Sequence, residues 1–267
     1  MSVTASTHDE GSTAVVLSGV GKTFANGTEA LAPLDLAIAA GSFTAIVGPS
    51  GCGKSTLLRV IACLAAPTSG RVERRAAASP QNTGFVFQDA TLMPWATAAE
   101  NVALPLRLAG EAGTDIEPRV AEALKRVGLS GFGSAYPREL SGGMRMRVSI
   151  ARAIVTAPRL LLMDEPFAAL DEFTRFKLND DLLALWQQNR WTVVFVTHSI
   201  REAVFLSERV IVMSPRPGRI VEDLVVELPA RRDSALRLGH AFADQCARVS
   251  QAVSLAMGED VPERAAS

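Results

Sequence analysis

Nine consecutive residues constrain this chain more than any other feature. Gly48-Pro49-Ser50-Gly51-Cys52-Gly53-Lys54-Ser55-Thr56 satisfies every fixed position of the pattern G-x-x-x-x-G-K-[ST]. The run before it, Phe43–Val47 (FTAIV), is apolar, partly β-branched and stops at Gly48, which predicts a buried strand. Leu57–Leu64 predicts a helix after it. Strand, glycine-rich turn and helix in that order make a phosphate cradle. The glycines let the backbone curl so that successive N–H groups point at phosphate oxygens. The helix adds its positive N-terminal end. Lys54 can reach the β- and γ-phosphates, and the Ser55 hydroxyl suits Mg²⁺. The expected ligands are therefore a nucleoside triphosphate and Mg²⁺. Lysine occurs only at positions 22, 54, 125 and 177, so composition alone does not supply one here. A thiolate at Cys52 would repel the nucleotide, and a neutral thiol is expected.

A second apolar run, Leu160-Leu161-Leu162-Met163, leads directly into Asp164-Glu165. In a parallel sheet, ligands lie at the carboxyl ends of strands, where these acids would meet the phosphates. Asp164 is expected to hold Mg²⁺ through water, and Glu165 to act as general base toward an attacking water. Around these motifs, Val15–Leu17 and Leu34–Ile38 read as antiparallel strands, and Thr192–Val196, Val210–Met213 and Arg219–Val226 as further strands. Phe173–Gln188 reads as a helix and Arg71–Asn82 as a polar loop. From about 89 to 158, Ala, Leu, Glu and Arg dominate, which predicts a helical insertion. Met1–Thr13 is expected to be a disordered tail, 14–230 one domain, and 231–267 a tail that is helix-prone through Met257. The predicted fold is α/β: a P-loop NTPase core with a parallel sheet, an antiparallel β subdomain and an inserted helical subdomain.

Leu140-Ser141-Gly142-Gly143-Met144 precedes the Arg-rich helical stretch Arg145–Val155. Ser-Gly-Gly at a helix start is a second anion-binding nest. Two phosphate sites in one domain would be redundant unless the second serves another copy's nucleotide. At these residues the sequence resembles the ATP-binding subunits of ABC transporters, over roughly residues 15–228. Leu140–Met144 is similar to their signature motif. Gln88, in Phe87-Gln88-Asp89, matches the Q-loop glutamine, Asp171 the D-loop, His198 the switch histidine, and Phe24 the aromatic that stacks on adenine. The resemblance implies that Gln88 senses Mg²⁺ and water, that His198 contacts the γ-phosphate, and that Ser141, Gly142, Gly143 and Asp171 serve the composite nucleotide site. Two departures stand out: Phe24 where Tyr is often seen, and Met146 where Gln is usual. The segment Val196–Ile220, with Pro215-Arg216-Pro217-Gly218-Arg219, resembles the importers of nitrate, sulfonates, taurine and pyrimidine precursors.

The implied partners follow. With one motif set and no apolar run of about 18–20 residues, the chain is expected to form a homodimer. It would work with separate integral-membrane permease subunits and, through them, a solute-binding protein. The expected location is the cytoplasmic face of a bacterial-type inner membrane. Leu92, Met93, Pro94 and Trp95 form an apolar cluster that suits either a permease-docking groove or ordinary core. With 27 basic against 28 acidic residues, no strong positive field favours nucleic acid. Cys52, Cys63 and Cys246 are too few and too scattered for a disulfide framework or a zinc site. About 40 residues follow the motifs, too few for an appended regulatory barrel. A non-transport ABC ATPase acting on nucleic acid or ribosomes remains the alternative. A small-molecule kinase leaves Leu140–Met144 unexplained.

Overall fold

The computed structural model describes residues 13–74, 82–111, 115–229 and 231–258. Its centre is a six-stranded sheet in the order β5-β6-β7-β3-β8-β9. The strands are β3 (Phe43–Val47), β5 (Thr83–Val86), β6 (Leu160–Asp164), β7 (Thr192–Val196), β8 (Arg209–Met213) and β9 (Ile220–Val225). All neighbours run parallel except β8 and β9. Every residue of β3, β6 and β7 is buried, as continuous apolar runs covered on both faces require.

Helices cover the two faces differently. On one face α1 (Lys54–Ile61) packs through Leu57, Leu58 and Ile61 against Ile46 and Val194. This core continues into an antiparallel sheet, β2-β1-β4, built from β1 (Thr13–Thr23), β2 (Glu29–Ala39) and β4 (Ser69–Arg74). On the other face lie α5 (Glu172–Asn189), α6 (Ile200–Leu206) and α7 (His240–Met257). Phe43 there meets the Trp186 ring edge-on at 5.7 Å. The helical layer adds α2 (Ala98–Leu108), α3 (Ile116–Arg126) and α4 (Gly142–Ile154). Thr97 caps α2 in a reciprocal box with Glu100, and Ser141, Asp171 and Ser199 cap α4, α5 and α6 through their side chains.

The structure departs from the sequence expectations at several boundaries. Thr13, placed in the tail, is buried and opens β1, while residues 1–12 lie outside the described residues. Residues 71–74, read as loop, belong to β4, an edge strand whose Val72 alone packs against the core; 75–81 lie outside the described residues. The expected helix at Leu57 begins earlier, at Lys54, because Gly53 adopts φ 107° and ends the loop there. Of the expected tail, residues 240–257 pack into the domain. Phe242, Val249 and Ala252 of α7 are buried in the main core, and Phe242 meets Phe205 at 6.4 Å. The final polar stretch, 259–267, lies outside the described residues.

Candidate functional site

Three adjacent strand ends assemble one half of the site. β3 releases the loop Gly48–Gly53, β6 delivers Asp164 and Glu165, and β7 delivers Thr197 and His198. Gly48 (φ 156°) and Gly53 (φ 107°) need their hydrogens. A Cβ would stand 2.7 Å from the Met213 carbonyl oxygen at the first and 2.7 Å from the Ala30 carbonyl oxygen at the second. Unlike α4, α5 and α6, α1 starts without a side-chain cap, and its first turn carries no acid. Its leading N–H groups are thereby left for an anion.

The side chains converge as the motifs require. Lys54 is buried and donates to the carbonyls of Gly48 at 2.8 Å and Pro49 at 3.0 Å. Its Nζ stands 3.8 Å from Glu165 Oε1. Ser55 Oγ donates to Asp164 Oδ1 at 2.8 Å. Burial pushes the Asp164 carboxyl above its ordinary range, partly offset by the Ser55 bond and raised further by Glu165. A desolvated carboxylate paired with a hydroxyl is a hard oxygen donor set suited to Mg²⁺. Glu165 holds a left-handed backbone (φ 46°), uncommon for a residue with a side chain. Its N–H donates to the Val196 carbonyl at 2.9 Å, and its Oε2 lies 3.0 Å from His198 Nδ1. The exposed His198 therefore faces the carboxylate through one ring nitrogen. Cys52 contributes backbone only: it is buried, its Sγ lies beneath Gly48, and burial raises its thiol pKa.

Gln88 is exposed at the end of β5, next to β6 in the sheet. β5 itself escaped the sequence reading because it is four residues long and half glycine or threonine. Phe24 is 44% exposed in the turn between β1 and β2, with Lys22 Nζ 5.6 Å from its ring centre. A ring so exposed is available to stack.

Ser141, Gly142, Gly143 and Asp171 gather elsewhere, where α4 and α5 begin. Ser141 Oγ accepts from the Met144 N–H at 3.2 Å, which leaves its own proton free to donate. Asp171 Oδ1 accepts from the Thr174 N–H at 3.0 Å, and that bond holds its pKa below the usual range. Gly143 is buried with Thr174 Cγ2 2.6 Å from where a Cβ would sit, while Gly142 faces outward near Leu170. No hydrogen bond or ion pair among the described residues joins this patch to the Gly48–Thr56 loop. The two clusters thus stand apart on one chain.

Sequence reasoning missed three supports. Glu202, buried, accepts from Thr197 Oγ1 at 2.6 Å and anchors the strand end bearing His198. Asn101, fully buried, binds the backbone of Met93, Ala96 and Thr97. Arg216 donates to the Gly51 carbonyl. Asn101 stands in an apolar helix, which is a local signal for a structural polar group; the other two declare themselves only in three dimensions.

A family model described as ABC transporter matches residues 31–168. The aliphatic sulfonates import ATP-binding protein SsuB of Bacillus cereus is 42% identical over 224 residues, 82% of this chain and 88% of that protein. The taurine import ATP-binding protein TauB of Rhizobium johnstonii is 50% identical over 182 residues, 67% of this chain and 70% of that protein. Among solved structures, a dimeric ATP-binding cassette in a post-hydrolysis state, bound to ADP and Pi, superposes with a TM-score of 0.71. It is 36% identical and covers 80% of this chain and 100% of its own.

Proposed function

The chain belongs to the ABC transporter family, and on that premise we propose that it is the ATP-hydrolysing subunit of an importer. Its solute would be of the nitrate, sulfonate, taurine or pyrimidine-precursor type. It would work as a head-to-tail homodimer at the cytoplasmic face of the membrane, under separate permease subunits served by a solute-binding protein. The observation that carries this reading is the pair of half-sites on one chain. Each loop Gly48–Thr56 would be closed by the partner's Ser141, Gly142 and Gly143, with both Asp171 carboxylates beside the seam.

In hydrolysis, the water oxygen bonds to the γ-phosphorus while the bond to the β–γ bridging oxygen breaks. Glu165 would take the water's proton, and His198, 3.0 Å away, orients that carboxylate and would contact the γ-phosphate. Lys54 would exchange its carbonyl partners for phosphate oxygens as the loop fills. Ser55, Asp164 and Gln88 would hold Mg²⁺, which neutralises phosphate charge when bound. Phe24 would stack on adenine.

No helix among the described residues is long and apolar enough to cross a membrane. The permease would dock on the exposed face beside Gln88. Trp95 is 76% exposed, so the core alternative for that residue fails; Leu92 packs partly against the core. A groove of about 510 Å³ lies alongside, lined by Phe85, Phe87, Thr91, Leu104, Leu108 and Arg152. Its aromatic and aliphatic lining would suit apolar side chains of a permease helix.

Steady-state hydrolysis and nucleotide binding test the enzymatic part. Lys54→Ala should lose both ATP binding and turnover. Glu165→Gln should still bind ATP and lose about 10²–10⁴ in rate. Near-normal turnover by Glu165→Gln would remove Glu165 as the base.

A further inference from the structure

We propose that Arg216 is a positioning residue for the phosphate-binding loop: by holding the Gly51 carbonyl it sets the affinity for the nucleotide. The proposal rests on the nucleotide-site reading above. Arg216 Nε and Nη2 donate to the Gly51 oxygen at 3.1 and 3.0 Å, from a residue 165 positions away in sequence. The guanidinium comes from the turn joining β8 to β9, which is itself tied shut. Ser214 N donates to the Arg219 carbonyl at 2.9 Å, and Ser214 Oγ accepts from the Arg219 N–H at 3.2 Å.

The same turn presses on the loop and on β2 together. A Cβ at Gly218 would lie 2.1 Å from the Cys52 carbonyl oxygen, so only glycine allows that contact. Gly218 N donates to Ala30 O at 3.0 Å, and Ala32 N donates to Gly218 O at 3.1 Å. Gly53 in turn rests against Ala30 and Leu31. The loop is thereby gripped between the turn and β2.

The physical consequence concerns peptide orientation. A loop that points N–H groups inward at an anion must turn the paired carbonyls outward. Gly51, at φ 75°, has no side chain to stop its peptide from rotating. Two charge-assisted donors on its oxygen fix the outward carbonyl, and they place a positive charge on the outer side of the loop. Losing them should weaken ground-state and transition-state binding alike, which appears in KM and leaves kcat alone.

The test uses the full chain with Arg216→Ala and Arg216→Lys. It reads KM for Mg-ATP, kcat, and melting temperature without nucleotide. Because Arg216 is exposed, folding should be preserved. The expected result for Arg216→Ala is a KM raised about 3- to 10-fold with kcat unchanged within about twofold. Melting should stay within about 2 °C, a surface substitution having little effect on stability. Arg216→Lys, which keeps the charge and loses the fork, should fall between wild type and Ala. An unchanged KM, or a loss of kcat and melting temperature without a change in KM, would overturn the proposal while leaving the nucleotide site intact. A wild-type chain that binds no ATP would overturn the nucleotide reading and this proposal with it.

Discussion

Glu202 is a carboxylate buried behind the residue that precedes His198. It accepts from Thr197 Oγ1 at 2.6 Å and stands 3.5 Å from Arg175 Nε. Burial raises its pKa despite the Thr197 bond and the Arg175 charge, so the ionised form is held at a cost. A carboxyl raised in the folded state binds its proton before the unfolded chain does. The wild type should therefore gain stability as pH falls through the raised folded value toward the unfolded one near 4.5. Glu202→Gln keeps an oxygen for Thr197 and removes the charge. Its melting temperature should exceed that of wild type at pH 8, and the gap should close as pH falls toward 5. A variant less stable than wild type at pH 8, with a deficit that shrinks as pH falls, would show that the Arg175 pair outweighs burial.

At the scale of elements, the helical layer connects the two functional faces. α4 begins at Ser141 in the second half-site and runs to Arg152, which donates to the carbonyls of Ala90 and Thr91 at 2.8 Å each. Those carbonyls lie two and three residues after Gln88. From α2, Asn101 grips the next stretch, Met93–Thr97, with four hydrogen bonds and so presents Trp95 outward. Truncating a central aromatic at an interface commonly costs about 2 kcal/mol or more of binding. Trp95→Ala should weaken co-purification with the permease and slow solute uptake. Basal hydrolysis and melting temperature should stay near wild type, because Trp95 touches none of the phosphate-site residues. A melting loss of the size expected for a buried tryptophan, about 3–5 kcal/mol, with permease binding intact would contradict the docking role.

Legibility also divides by element. β3, β6 and β7 could be read because each is an apolar run buried on both faces, and each ends in chemically marked residues. β4 and β5 could not, since one is a polar edge strand and the other is too short to show a period. Ser55 and Asp164 are 109 residues apart, yet their meeting was foreseeable because both belong to motifs whose chemistry needs one metal. The Arg216–Gly51 bond spans 165 residues with nothing in either segment to announce the other. α7 was read as a tail because local helix propensity does not reveal that Phe242 fits beneath Phe205. The proposal of a composite nucleotide site rests on redundancy, since one domain has no use for two anion nests.

For the whole molecule, the proposed function requires that two copies share each nucleotide. The second half-site lies open, with Ser141 and Gly142 exposed and Phe173, 88% exposed, on the first turn of α5 beside it. Gly142 is the better place for a blocking charge. Its Cβ position is 3.7 Å from the nearest side-chain atom, whereas a Cβ at Gly143 would collide with Thr174 inside the same chain. An acid at Gly142 would set negative charge against the partner's γ-phosphate. The most direct measurement is the solution mass of the hydrolysis-deficient Glu165→Gln chain by size exclusion with light scattering, with and without Mg-ATP. A dimer is expected only with Mg-ATP, and the double variant Glu165→Gln, Gly142→Glu should remain monomeric in both conditions. A dimer that forms without nucleotide and survives Gly142→Glu, or a monomer under every condition, would contradict the shared site.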